Sequence, residues 1–189
     1  QNRTKTDGGI FLKKIDTRKL VLAALFAALT AVGAFLRIPL GLSAITLQFL
    51  FTALAGVLLG AKYGALSQAV YVALGLVGLP VFTQGGGLSY LLIPSCGFLF
   101  GLIPAAAVIG LLTKNHRKPL EIAGACCVGL AVLYLVGLPY MAVVLNVYMG
   151  KNLSFLAILT SGMLLYLPGD GLKIVVTALL SKPLLKVLS

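Results

Sequence analysis

Charged positions are so sparse along this chain that the uncharged intervals between them mark its elements. Residues 20–36 carry no charge and lie between Lys19 and Arg37, which predicts a first helix over about 19–37. The interval 38–61 opens on Ile38-Pro39-Leu40-Gly41, a loop signal, and then predicts a helix over about 46–60. Residues 63–113 hold no charge at all, enough for two helices at about 62–79 and 96–113 with Gly78 through Pro94 between them. A fifth helix follows at about 120–145, with a kink expected at Gly137-Leu138-Pro139. Residues 154–166 are apolar but short of the roughly 20 residues that a span requires, so a partial helix at the outer face is expected there. Leu167-Pro168-Gly169-Asp170 then reads as a helix start with proline in its first turn, and the last helix runs over 167–188. The apolar runs are continuous rather than alternating, which excludes a membrane β-barrel.

Composition turns these helices into membrane spans. Of 189 residues 60% are apolar and 10% charged, with mean hydropathy +1.08; soluble domains run near 45–50% and 25%. The reading is an all-α integral membrane protein of six transmembrane helices. A basic segment, 1–18, precedes a single membrane domain, 19–189, and no separate soluble domain fits. The first apolar run continues to full span length, so no cleavable signal is expected. The net charge of +11 would suggest nucleic acid in a soluble protein, but here it follows topology. With the amino terminus inside, the inner side holds Arg3, Lys5, Lys13, Lys14, Arg18, Lys19, Lys62, Lys114, Arg117, Lys118, Lys182 and Lys186. The outer side holds Arg37, Lys151 and Lys173. Both termini are therefore expected in the cytoplasm, and counting 154–166 as a seventh span would reverse Lys182 and Lys186.

Several chemistries lack the residues they need. The fragment Gly56 to Lys62 misses the Gly-Lys-Ser/Thr ending of a nucleotide-binding loop, so uptake driven by ATP would need a partner ATPase. Cys96, Cys126 and Cys127 lie in apolar segments without disulfide or metal spacing. His116 sits in the basic loop Lys114 to Lys118, where solvation accounts for it, and no catalytic set or metal site is expected. Two features on the outer side do offer chemistry. Gln84-Gly85-Gly86-Gly87, with Ser89 and Tyr90, joins backbone that a ligand could approach closely to neutral hydrogen-bonding groups; the alternative is a merely flexible loop. Asp170 and Lys173 share a helix face at spacing i, i+3, and charges at such depth are expensive and tend to be functional; the alternative is mutual neutralisation. On the first helix, Ala23, Ala27 and Ala31 form one small-residue stripe and Ala24 and Ala28 another, suited to close helix approach, with internal packing as the simpler reading.

In order and spacing these segments resemble the BioY family, the biotin-specific S components of energy-coupling factor (ECF) vitamin transporters. The landmarks are Ile45-Thr46-Leu47-Gln48, Gly78-Leu79-Pro80-Val81-Phe82 before the glycine run, and Leu91-Leu92-Ile93-Pro94-Ser95-Cys96-Gly97-Phe98. Gly137-Leu138-Pro139-Tyr140 and Leu167-Pro168-Gly169-Asp170 with Lys173 complete the series. The resemblance implies an S-component bundle in the plasma membrane that captures biotin from outside. It implies docking to a transmembrane T component with two ATPase subunits, with the alanine stripes facing the T component. Biotin needs an acceptor for its ureido N–H groups, which Asp170 would supply, and a cation for its carboxylate, which Lys173 would supply. Gln84, Ser89 and Tyr90 would complete the ring contacts. The alternatives are an S component for another small vitamin or a structural membrane subunit. An enzyme lacks a nucleophile and a base.

Overall fold

A computed structural model describes residues 16–40, 43–115 and 118–188 of the chain. Of the inner-side positions named above, Arg3, Lys5, Lys13, Lys14, His116 and Arg117 lie outside these residues. Helix α1, Thr17–Phe35, starts where the Asp16 carboxylate accepts the Lys19 backbone N–H at 3.3 Å. Its exposed side presents Leu20, Val21, Leu25, Val32 and Phe35, an outward apolar surface suited to lipid rather than water.

The segment read as a loop after α1 is instead a short antiparallel hairpin, β1 (Arg37–Leu40) and β2 (Ser43–Thr46), pairing Arg37 with Thr46 and Ile38 with Ile45. The fold is therefore mostly helical rather than purely so. The hairpin returns the chain onto the end of α1, where the Leu47 N–H donates to the Gly33 carbonyl at 3.0 Å. Helix α2, Gln48–Val77, is broken at Gly60, whose φ of 76° and ψ of 176° suit glycine alone. Beyond the break the chain folds back along itself. Gln48 donates to Tyr71 at 2.8 Å and Thr52 to Gln68 at 3.0 Å, and a Cβ on Gly64 would lie 2.9 Å from the Gly56 Cα. The halves 48–59 and 61–77 are thus antiparallel neighbours joined by a one-residue corner.

Helix α3 is Cys96–Leu112, and α4 is Pro119–Val143, extended by one π-helical turn over Val144–Tyr148. The last passage begins with α5, Phe155–Leu159, and a π-helical turn over Thr160–Leu164. These do not stand apart as a partial helix. Tyr166 bonds back to Met163 and Asp170 to Tyr166, so the chain runs directly on into α6, Leu167–Leu188. Among the described residues four helical stretches are long and apolar enough to cross a membrane: Thr17–Phe35, Gln48–Val77, Pro119–Tyr148 and Phe155–Val187; Cys96–Leu112 is apolar but shorter. This is a multi-pass membrane architecture. Helix α2 packs against α1, α3 and α6, and α4 closes the bundle between α3 and α6. Where α1 meets α2, Gln68 is fully buried, its amide shared among Thr30, Ser67 and Thr52.

Candidate functional site

The site is built where the first turns of α6 face α4 across the bundle. Gly169 leaves room for Ile45 of β2, whose side chain would stand 3.3 Å from a Cβ there. One residue on, Asp170 points inward. Its Oδ1 accepts from Lys173 Nζ at 2.7 Å, and its Oδ2 accepts from the Tyr134 hydroxyl of α4 at 2.5 Å. Asp170 is 5% exposed and Lys173 7%. Burying such a pair is costly relative to apolar packing, so its presence points to use rather than to stability.

The pair opens onto a cavity of about 200 Å³. Phe49, Phe98, Leu99, Leu102 and Leu133 give it apolar walls, while Tyr134, Tyr166, Asp170 and Lys173 supply polar groups. Arg37, Thr46, Gln48, Thr83, Gln84, Tyr90 and Ser95 also line it. Thr46 donates to Gln48 at 2.9 Å, Gln48 to Tyr71, and Tyr71 to the Val81 carbonyl at 3.2 Å, which ties the connection after α2 to the start of that helix. Arg37 is exposed, and its guanidinium donates to the Thr83 carbonyl. Thr83 in turn shares a 2.7 Å hydrogen bond with Tyr90. Burial raises the Tyr90 phenol above its ordinary value, against the opposing hydrogen bond with Thr83, so it stays neutral. Among the described residues every buried side-chain nitrogen and oxygen has a partner. One carboxylate, two cations and several neutral hydroxyls around apolar walls suit a small organic ligand with a polar head and an anionic tail.

Of the residues singled out from the sequence, Gln84, Tyr90, Asp170 and Lys173 meet at this cavity. Gly85, Gly86, Gly87 and Ser89 are not among the residues that line it. Gly85 and Gly87 have φ of +112° and +96° in a tight turn, and the Gly87 N–H donates to the Gly75 carbonyl at 2.7 Å. Gly86 lies so near the end of α2 that a Cβ would fall 2.1 Å from the Leu79 carbonyl. The glycines fold the connection onto α2, and Ser89 is exposed. The alanine stripes separate as well. Ala23 and Ala27 are buried toward α2, Ala31 is half-buried, and Ala24 and Ala28 face outward. Arg37, Gln48, Tyr134 and Tyr166 were not singled out. Arg37 had a signal, as a lone cation beside an uncharged outer connection, whereas Tyr134 lies in an apolar run with nothing nearby to mark it.

The chain resembles known proteins in both sequence and fold. Residues 5–189 match the profile of the BioY family. The chain is 45% identical over 178 residues to the "Probable biotin transporter BioY" of Lysinibacillus sphaericus, covering 93% of this chain and 91% of that protein. It is 39% identical over 170 residues to the "Biotin transporter BioY" of Thermotoga maritima, covering 89% and 96% respectively. Among solved structures it resembles the S-component for biotin from an ECF-type ABC transporter, with TM-score 0.79 and 29% identity over 90% of this chain and 92% of that one.

Proposed function

The chain belongs to the BioY family, and from that premise we propose how it works as the biotin-specific S component of an ECF-type transporter. It is a transport subunit and not an enzyme. The observation that carries the ligand reading is the buried Asp170–Lys173 pair on the cavity wall. A carboxylate oxygen beside an ammonium presents an acceptor next to a donor. One edge of biotin's urea presents the complement, a carbonyl oxygen next to an N–H. Asp170 accepts from the urea N–H, and Lys173, with two N–H donors left after Asp170, donates to the urea oxygen. The pair is neutral as a whole and reads a neutral head. The ligand carboxylate goes instead to Arg37, the exposed cation on the cavity rim, whose guanidinium is hydrogen-bonded to the Thr83 carbonyl rather than to an acid. Biotin therefore enters ring first, with its rings between Phe49, Phe98 and Leu133.

The Gly60 corner supports six passages through the plasma membrane, with α2 contributing two. At the opposite end of the bundle from Arg37, Asp16, Lys19, Lys62 and Tyr63 gather together, Tyr63 accepting the Asp16 N–H at 3.3 Å and lying under both ammoniums. That basic end faces the cytoplasm, with both termini there and the cavity opening outward. Release into the cell requires a T component and two ATPases, docked along the outward face of α1 at Ala24 and Ala28. The deciding experiment is calorimetric titration of biotin into the full chain purified in detergent, without nucleotide or partner. Tight one-to-one binding is expected. Silence toward biotin with a clear signal for a different vitamin would assign the cavity to that vitamin.

A further inference from the structure

We infer that Tyr134 is a positioning residue: its hydroxyl holds the Asp170 carboxylate in the one orientation that can accept the ligand's N–H. The inference rests on the reading that biotin's urea edge meets Asp170 and Lys173. A phenol has one proton to give, and Tyr134 gives it to Asp170 Oδ2 at 2.5 Å while Lys173 holds Oδ1. With a donor on each oxygen, the carboxylate can no longer turn about its own bond, and each oxygen keeps lone pairs for a further donor. Tyr134 and Lys173 both reach the carboxylate as donors, so it meets its ligand as an acceptor. Tyr134 is itself fixed from behind. Its ring stands edge-on to Phe98 at 6.0 Å and 86°. Phe98 fills the space over Gly137, where a Cβ would fall 2.2 Å from its ring. Gly137, Phe98, Tyr134 and Asp170 thus form one packed line from α4 to α3, back to α4 and on to the head of α6. A ligand lacking a donor at the urea edge would leave the buried acceptor unmet, which is costly.

The test uses the full chain in detergent with carboxyl-¹³C aspartate, a label confined to Asp7, Asp16 and Asp170. Tyr134→Phe keeps the ring and its packing and removes only the hydroxyl. We expect the variant to fold with a ligand-free unfolding temperature only a few degrees lower, as the loss of one buried hydrogen bond requires, the Asp170 carboxyl signal to move, and biotin to bind roughly tenfold more weakly, the scale of one charge-assisted hydrogen bond. Biotin affinity within about twofold of wild type would overturn the inference, as would an Asp170 signal that does not move. So would a variant that fails to fold, because the hydroxyl would then serve the bundle and not the ligand. If the wild-type chain itself fails to bind biotin, the functional reading falls and the inference with it.

Discussion

Two cations line one cavity, and their partners decide what each can do. Lys173 is bonded to a carboxylate and buried, whereas Arg37 is bonded to a carbonyl and exposed. Arg37→Met should therefore weaken biotin by about 1.5–3 kcal/mol, about 10- to 150-fold, and weaken the uncharged biotinamide far less. Lys173→Met should instead weaken biotin and biotinamide alike, since both present the same urea oxygen. Equilibrium competition with both ligands checks the pair; a loss confined to biotin in Lys173→Met would return the carboxylate to Lys173, the assignment suggested by the sequence. Asp170 and Lys173 were legible beforehand because two charges at helical spacing in an apolar run have few bland explanations. Tyr134 was not, because its role comes from a contact 36 residues away. The glycine run was legible as unusual but not as structural, since the requirement for small residues comes from Gly75 and Leu79, a helix end that only folding brings near.

Small residues decide where helices can meet, and burial separates stripes that look equivalent in sequence. Ala27 is 4% exposed and packed in the bundle, whereas Ala28 faces outward. Ala27→Trp should abolish a folded, biotin-binding protein. Ala28→Trp should leave detergent-phase biotin affinity unchanged and stop uptake by cells that carry the whole transporter. Measuring binding and uptake side by side separates these results; lost binding in Ala28→Trp would refute the docking assignment. At the α2 corner, a Cβ on Gly60 would touch nothing within 4 Å, so Gly60→Ala probes backbone strain alone. A loss of about 1–3 kcal/mol is expected in chemical unfolding. Gly110→Ala, by contrast, would set a Cβ 2.3 Å from the Ala61 nitrogen and should cost more through that clash. The break at Gly60 was marked in sequence by the nearby Lys62, since a charge is poorly tolerated mid-span. The hairpin Arg37–Thr46 was not, because four-residue strands are too short for alternation to register beside a proline.

Across the whole molecule, the two ends of the bundle differ in chemistry: Lys19, Lys62 and Tyr63 gather at one, the cavity rim with Arg37 at the other. In a cysteine-free background, a single cysteine at position 151 should react in intact cells with a maleimide that cannot cross membranes, and one at position 114 only after permeabilisation. The reverse pattern would invert the orientation. The membrane class was legible because hydropathy sums over the entire chain and no local error can reverse it. The closing of α2 into a hairpin has a consequence for biogenesis. Its second half carries Gln68 and Tyr71, whose buried polar atoms are answered largely by Thr30 on α1 and by Gln48 and Thr52 on the first half. Presented alone to hydrocarbon, that half would leave these groups bare, at a cost of several kcal/mol each. The ribosome delivers α1 and the first half beforehand, so the hydrogen-bond partners are already waiting when Gln68 emerges. The stretch from α1 to the end of α2 is thus arranged to leave the insertion machinery as one bundled unit, and a chain lacking α1 should be retained or degraded rather than integrated.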